Sequence, residues 1–344
     1  MDDQNTYSSV GPGISIIICT YNGKTRLDKT LNHLTKQEFS CPLEIVLVDN
    51  ASTDGTKEYA EKWWEQHGVA SISFRTAFQP VPGKSYAQEM GYAMARYDLL
   101  LICDDDNWLI KDYVQIAYDI MMSNAKIGAL GGWCEAAFEN ERPDWFQKYG
   151  RYFAVSKQGS RSGDITEKKG CLYGAGMVIR KKHWQELNAL GFTPLLTCRK
   201  GDKLSSGGDT EYCYALRLLG YRIWYDERLK FIHFMPTGRM NLNYVSRIRE
   251  AMSESNFVVS SYLDQLEHRR VTRHTFRAQF IRNMGLPFIK SIFKILFGSF
   301  EQKEAAKEYF RKLKRLAFDY DEYEANRRSI SRWLPESKQN VAIK

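Results

Sequence analysis

The sequence predicts an α/β fold, with a mostly parallel, doubly wound central sheet flanked by helices and a helical C-terminal extension. Three observations carry this expectation. From residue 14 onward, short β-branched apolar runs alternate with segments of helical periodicity. Several runs end in polar or acidic turn residues, and open α/β sheets bind ligands at the carboxyl ends of their strands. The basic excess is confined to one end: Val245 to Lys344 holds 20 Lys and Arg against 12 Asp and Glu, and the rest of the chain is balanced.

Composition limits the alternatives. At 344 residues, with 43% hydrophobic and 26% charged residues, the chain can bury a large core. No uncharged apolar run approaches the ~20 residues that cross a bilayer. The opening "MDDQNTYSSV" is too polar and acidic for a signal peptide. Seven scattered cysteines, none in a CxxC pair, argue against a structural zinc site or a disulfide framework. A reduced, cytoplasmic setting is therefore expected. The basic excess comes without a recognised nucleic-acid-binding motif, so an anionic partner other than nucleic acid is expected.

The elements follow in order. "ISIIICTYNG" (14–23) reads as a buried strand leaving the sheet, and Leu27, Leu31 and Leu34 mark a helix after it. "LEIVLVDNASTDGT" (43–56) repeats the design, and "TKEYAEKWWEQHG" (56–68) is a helix ended by Gly68. "SISF" (71–74) is a third strand and "GKSYAQEMGYAMARY" (83–97) a helix. "LLLIC" (99–103) is a fourth strand, which runs into Asp104, Asp105 and Asp106. "GCLYGAGMVIRKKHWQEL" (170–187) contains a Gly-rich strand and then a helix. "GGDTEYCYALRLLGYRIWYDERLKFIHF" (207–234) reads as a polar turn, a helix to Leu219 and a pair of strands ending at His233. Helix is expected beyond Pro236.

Three adjacent carboxylates need an explanation. At ~6 Å and an effective dielectric of ~20, each like-charge pair costs roughly 3 kcal/mol before screening. A solvated turn tolerates this, and so does a site that binds a cation.

Four ordered pieces together resemble glycosyltransferase family 2, a group of inverting sugar transferases with the GT-A fold: "SIIICTYNG", "IVLVDNASTDGT", "LLLICDDDN" and "GGDTEYCYALRLLGYRI…FIHF". The resemblance covers roughly residues 14 to 235. It implies a nucleoside-diphosphate-sugar donor, UDP foremost, and a divalent cation, Mn or Mg, that offsets the charge of the leaving diphosphate. The family's DxD falls on Asp104 and Asp106. Asp106 is then the metal contact, Asp104 faces the ribose or the metal, and Asp105 lies at the donor. Asp49 matches the base-recognition position, with Asn50 where many members carry a second Asp. Thr20 and Tyr21 lie at the first strand's end, where an aromatic ring stacks on a base or packs on the neighbouring turn. Asn50 and Asp54 also suit turn formation. Lys84 replaces an expected arginine, here Gln88, as the diphosphate contact; a solvated surface lysine is its other reading. His233 matches a metal-ligating position of some GT-A enzymes.

Asp209, at the start of the helix after "GG", matches the general base that removes the acceptor hydroxyl's proton. An N-cap is its other reading, and Glu211 is the fallback base. Trp133 and Trp184 could stack on sugar rings, though core packing suits Trp184 better. "MGLPFIKSIFKILFGSF" (284–300) places Phe288, Ile289, Ile292, Phe293, Leu296 and Phe300 on one face, with Lys290 and Lys294 opposite and "RKLKRLAF" (311–318) following. It fits an interfacial helix on an anionic membrane, a cap on the catalytic domain or a homodimer contact.

The expected organisation is a tail over 1–13, a catalytic domain over 14–240 and a basic helical extension over 241–344. The expected activity is transfer of one sugar to a saccharide or lipid-linked saccharide, at the inner membrane face, in bacterial surface-glycan synthesis. The chain lacks the transmembrane helices and Gln-x-x-Arg-Trp motif of processive synthases in the family. Two other classes remain: a nucleotide-sugar-binding protein without turnover, and a haloacid-dehalogenase-like phosphatase, which would want Thr or Val where Asn107-Trp108 stands. No GxGxxG follows the first strand, and "GAG" at 174–176 is too weak to suggest a dinucleotide site.

Overall fold

The computed structural model describes residues 11–196 and 206–336; Cys198 and most of the N-terminal tail lie outside the described residues. The strands are β1 (Gly11–Thr20), β2 (Leu43–Asp49), β3 (Ser73–Phe78), β4 (Tyr97–Asp104), β5 (Asn107–Leu109), β6 (Ile127–Phe138), β7 (Gly163–Asp164), β8 (Val178–Arg180) and β9 (Arg222–Met235). The helices are α1 (Lys24–Thr35), α2 (Thr56–His67), α3 (Lys84–Met94), α4 (Tyr113–Ser123), α5 (Phe146–Tyr149), α6 (Lys181–Ala189), α7 (Gly208–Leu218), α8 (Leu242–Leu266), α9 (Arg273–Asn283), α10 (Leu286–Phe297), α11 (Phe300–Phe318) and α12 (Tyr320–Trp333).

One sheet runs in the order β3-β2-β1-β4-β8-β6-β9-β5, with β7 on β9. Its β3-β2-β1-β4 arm is parallel, as the alternating strands and helices predict. Beyond β4 the sheet is mixed: β8 is antiparallel to both β4 and β6, while β6 and β9 are parallel. β2 is buried along its whole length, as a strand covered on both faces must be. Its side chains alternate between two cores: Ile45 and Leu47 join Ile16 and Ile18 under α1 and α4, while Val46 and Val48 join Ile17 under α3. Burying each such aliphatic side chain contributes about 1.5–3 kcal/mol.

Three strand expectations need correction. The Gly-rich stretch over 170–176 is irregular, and the strand that follows it, β8, is only Val178–Arg180. β3 begins at Ser73 and runs to Phe78, two residues later and four residues further than "SISF" suggests. The expected strand pair before His233 is one strand, β9. Its polar Asp226–Arg228 stretch is a bulge, not a turn, and Asp226 accepts from both the Arg228 N–H and its guanidinium. Pairing with β6 resumes at Lys230.

The C-terminal helices fold back onto the α/β body. α8 reaches α7 through Tyr262, whose hydroxyl donates to the buried Glu211 at 2.7 Å. Trp333 of α12 meets Phe192 edge-on. No helix among the described residues is long and apolar enough to cross a membrane. α10 docks through Ser291 and through Phe288, which packs edge-on against Phe310. Leu286, Ile289, Phe293, Leu296 and Phe297 stay exposed, up to 80% at Phe297. Lys290 and Lys294 are exposed alongside them.

Candidate active site

Three strands of the parallel arm deliver the key residues to one edge: β1 ends at Thr20, β2 at Asp49 and β4 at Asp104. Thr20 and Asp49 are register partners, and Cys19 pairs with Asp104 on the other side of β1. The three carboxylates after β4 then face three different environments, which is how the fold tolerates them.

Asp105 turns inward. Thr20 Oγ1 donates to it at 2.6 Å, and the Arg26 guanidinium grips both its oxygens at 3.1 and 2.8 Å. Its backbone carbonyl accepts from Thr30 at 2.9 Å. Gly23 is required beside this pair, because a Cβ there would lie 2.0 Å from Thr20 Oγ1 and 2.3 Å from Asp105 Oδ2. Both Thr20 and Asp105, expected at the donor, are thus committed to each other, and they fix the β1–α1 turn.

Asp104 is half-buried and pairs with Lys84 Nζ at 2.6 Å. Lys84 opens α3 and reaches across to the end of β4, so it is no surface lysine. Asp106 is buried between two side chains: the Arg239 guanidinium Nη1 lies 3.3 Å from Oδ2, and the His233 imidazole Nε2 lies 3.4 Å from Oδ1. Burial pushes the Asp106 pKa up, but His233 and Arg239 outweigh it and hold the carboxyl well below the usual range. Sequence reasoning missed Arg239 and Arg26, which no motif marks.

The described residues hold no cluster of three or more His, Cys, Asp and Glu at metal-binding distance. The donor pair nevertheless suits a divalent cation. His233 Nδ1 donates to the Phe153 carbonyl at 3.1 Å, which aims Nε2 at Asp106 Oδ1. Metal-ligating histidines are oriented by this kind of backbone bond. Mg-type ions use one or two carboxylates and complete their shell with substrate phosphates and water.

Asp209 lies in the first turn of α7. It is not the N-cap: Gly207 takes that position at φ +103°, a backbone that side chains rarely adopt. Asp209 Oδ2 accepts the Gly174 N–H at 3.1 Å. A Cβ on Gly174 would lie 2.3 Å from that carboxylate, so the "GAG" stretch has a use after all: it admits Asp209. Burial pushes the Asp209 pKa up against the pull of Lys84, while Asp104 adds to the rise and the Gly174 N–H opposes it. Glu211, the fallback base, is completely buried and accepts from the Leu195 and Leu196 N–H groups and from Tyr262. It is a structural latch.

At the end of β2, Asp49 accepts the Ser52 N–H at 2.9 Å, and Tyr21, just past the end of β1, stands exposed at 54%. Asn50 shapes the loop before α3, donating to the Val81 carbonyl and accepting the Gly83 N–H at 2.7 Å. Asp54 is a turn former, accepting the Thr56 and Lys24 N–H groups. Trp133 is covered by the ammonium groups of Lys157 and Lys230, 4.4 and 4.6 Å from its ring. Trp184 is core, bonded through its indole N–H to Glu89 at 2.9 Å.

The sequence pattern of the Glycosyl transferase family 2 matches residues 15–187, half of the chain, and the chain belongs to that family. Among curated relatives, the abequosyltransferase RfbV of Salmonella typhimurium is 34% identical over 115 residues, covering 33% of this chain and 34% of that protein. The poly(ribitol-phosphate) beta-N-acetylglucosaminyltransferase TarS of Staphylococcus aureus is 30% identical over 104 residues, covering 30% of this chain and 18% of that protein. The chain thus spans 34% and 18% of these relatives' length. Two solved structures share the fold. The mannosyltransferase PcManGT from Pyrobaculum calidifontis, in complex with GDP-Man and Mn2+, aligns at TM-score 0.53 and 17% identity over 90% of this chain and 88% of that one. S. aureus TarS 1–349 with UDP-GlcNAc aligns at TM-score 0.51 and 15% identity over 88% and 91%.

Proposed function

We propose that this chain is an inverting, metal-dependent glycosyltransferase that moves one sugar from a nucleoside-diphosphate sugar to a saccharide hydroxyl. The carrying observation is the placement of Asp209: a carboxylate with a raised pKa, held by Gly174, coupled electrostatically to Lys84 and Asp104 at the end of β4. Family membership and the donors bound by the two solved neighbours support the donor class. A binding protein without turnover would have no need of such a carboxylate, and membership of this family leaves the phosphatase reading without support.

In this mechanism Asp49 and Tyr21 receive the base. Lys84 and Arg239 bring positive charge to the diphosphate end of the cleft. Asp209, ionised, accepts the acceptor hydroxyl's proton as that oxygen forms a bond to the anomeric carbon. The bond from that carbon to the diphosphate breaks, and the nucleoside diphosphate departs with the electron pair. A single displacement inverts the anomeric configuration. Asp106 and His233 are the residues that would hold Mn or Mg, with Asp104 adjacent. When bound, the ion supplies Lewis-acid stabilisation of the departing charge.

The acceptor is a saccharide on a lipid carrier, met at an anionic membrane face. The exposed apolar residues of α10, with Lys290 and Lys294 beside them, have the chemistry of an interfacial helix, and the basic excess lies in this part of the chain. Flotation with phosphatidylglycerol vesicles should recover the wild type but not Phe293→Asp/Leu296→Asp. Concentration-dependent dimers without flotation would assign the face to a second copy instead.

The donor assignment is tested by titrating UDP-, GDP- and dTDP-sugars with and without Mn. One of them should bind in a Mn-dependent manner, and Asp106→Ala should abolish the metal dependence. Failure of every donor to bind with Mn present would overturn the reading.

A further inference from the structure

A cavity lies among α8, α9, α11 and α12. Its volume is about 560 Å³. One wall is apolar, formed by Met252, Phe257, Val271, Phe276 and Leu316. The other carries more cations than anions, and the pairing shows which cations are surplus. Glu308 accepts from Arg249 at 2.8 Å, Glu254 is held by Arg315, and Asp264 accepts from Tyr323 and faces Arg269 at 3.6 Å. These pairs use every acidic side chain of the lining.

Arg311 and Lys312 are left over, with no ion-pair partner among the described residues. The Nε and Nη2 groups of Arg311 are buried, and neither has a hydrogen-bond acceptor. A buried guanidinium edge without acceptors costs free energy unless an anion meets it. The edge presents adjacent N–H donors, the arrangement that grips two oxygens of a phosphate at once.

We propose that this cavity binds a phosphorylated amphiphile, its phosphate on Arg311 and Lys312 and its apolar body against Met252, Phe257 and Phe276. The inference stands apart from the transferase reading. The cavity does, however, border the turn over 150–153: Tyr152 lines it, and the next residue, Phe153, supplies the carbonyl that orients His233. The same chemistry could come from a membrane lipid or from a soluble phosphate ester, and the test separates the two.

Isothermal titration of the full chain with monomeric decyl phosphate should give saturable binding at one site. Arg311→Met should weaken it about tenfold or more, the loss expected for a charge-assisted hydrogen bond. Arg311→Lys should restore part of it, and Met252→Trp, which fills the cavity, should remove it. Phe293→Asp on α10 should leave it unchanged. Thermal unfolding of each variant identifies any loss of fold; binding retained by folded Arg311→Met and Met252→Trp overturns the proposal. Inorganic phosphate binding as tightly as decyl phosphate, or decyl maltoside doing so, overturns it as well. Vesicles of phosphatidylcholine doped with phosphatidic acid give the second arm. Arg311-dependent binding to them assigns the site to a lipid headgroup, whereas binding of monomeric decyl phosphate alone assigns it to a soluble ester.

Discussion

His233 Nε2 faces Asp106 Oδ1 at 3.4 Å, while its other ring nitrogen is held by the Phe153 carbonyl at 3.1 Å. The geometry leaves Nε2 two choices, a proton or a cation, opposite the carboxylate. His233→Ala should therefore raise the Mn concentration that half-saturates donor binding by about 10–100-fold, the loss typical of a disturbed metal shell. An unchanged Mn dependence in a folded variant would remove His233 from the metal site.

Gly174 is the contact that admits Asp209. Adding one methyl group, Gly174→Ala, forces the carboxylate to move, because the new Cβ would meet it at 2.3 Å. Turnover should fall at least about tenfold with donor affinity nearly unchanged, since displacing a catalytic group by about 1 Å has large effects on rate. Steady-state kinetics beside equilibrium donor binding reads the split.

The pH dependence follows from the raised Asp209 pKa. A base works only when ionised, so protonation as pH falls removes activity. The acid limb of kcat should therefore lie above the ordinary Asp value of about 3.9. A limb at or below that value would show that Asp209 is not desolvated in the working enzyme.

His183 gives a stability prediction away from the site. It is fully buried and stacks on Tyr221 with ring centroids 3.7 Å apart. Burial, with Arg180 and Lys182 nearby, depresses its pKa to about 3. The unfolded chain takes up this proton near pH ~6.5 while the folded chain refuses it until far lower. Stability is thus fully present above about 6.5 and is lost as pH falls toward 3, by roughly 5 kcal/mol from this group. Urea unfolding at several pH values should show a flatter acid decline for His183→Phe.

Arg26 tests the reading of Asp105 as structural. Arg26→Met leaves a buried carboxylate with its guanidinium partner gone, a change that costs about 3–5 kcal/mol. Pairing it with Asp105→Asn should recover much of that loss, as chemical denaturation of the single and double variants will show.

The parallel arm was legible in the sequence because β1, β2 and β4 are short apolar runs closed by turn residues, and that same pattern exposes Asp49 and Asp104. What escaped was set by distant partners. Asp226 and Arg228 look like a turn in sequence, but their mutual hydrogen bonds make a bulge inside β9. β6 is hidden in the sequence, because paired glycines interrupt its apolar pattern. Gly132 is needed there, since a Cβ would lie 1.8 Å from the Leu229 carbonyl of β9. The acidic triplet could be seen, but not the division of labour within it. Thr20 and Arg26 claim Asp105, Lys84 meets Asp104, and His233 and Arg239 meet Asp106, all from elements far away in the chain. Gly207 in the capping position likewise makes Asp209 the second residue of the helix, two positions past the cap, which no propensity scale distinguishes from a capping Asp.

The most direct test of the account is the behaviour of Asp209→Asn with whichever nucleotide sugar binds. Donor affinity should match the wild type within about twofold, whereas slow donor hydrolysis and transfer should fall about 10²–10⁴-fold, the range that a general base supplies. Retained turnover in that variant would contradict the assignment of Asp209 as the base, and with it the proposed mechanism.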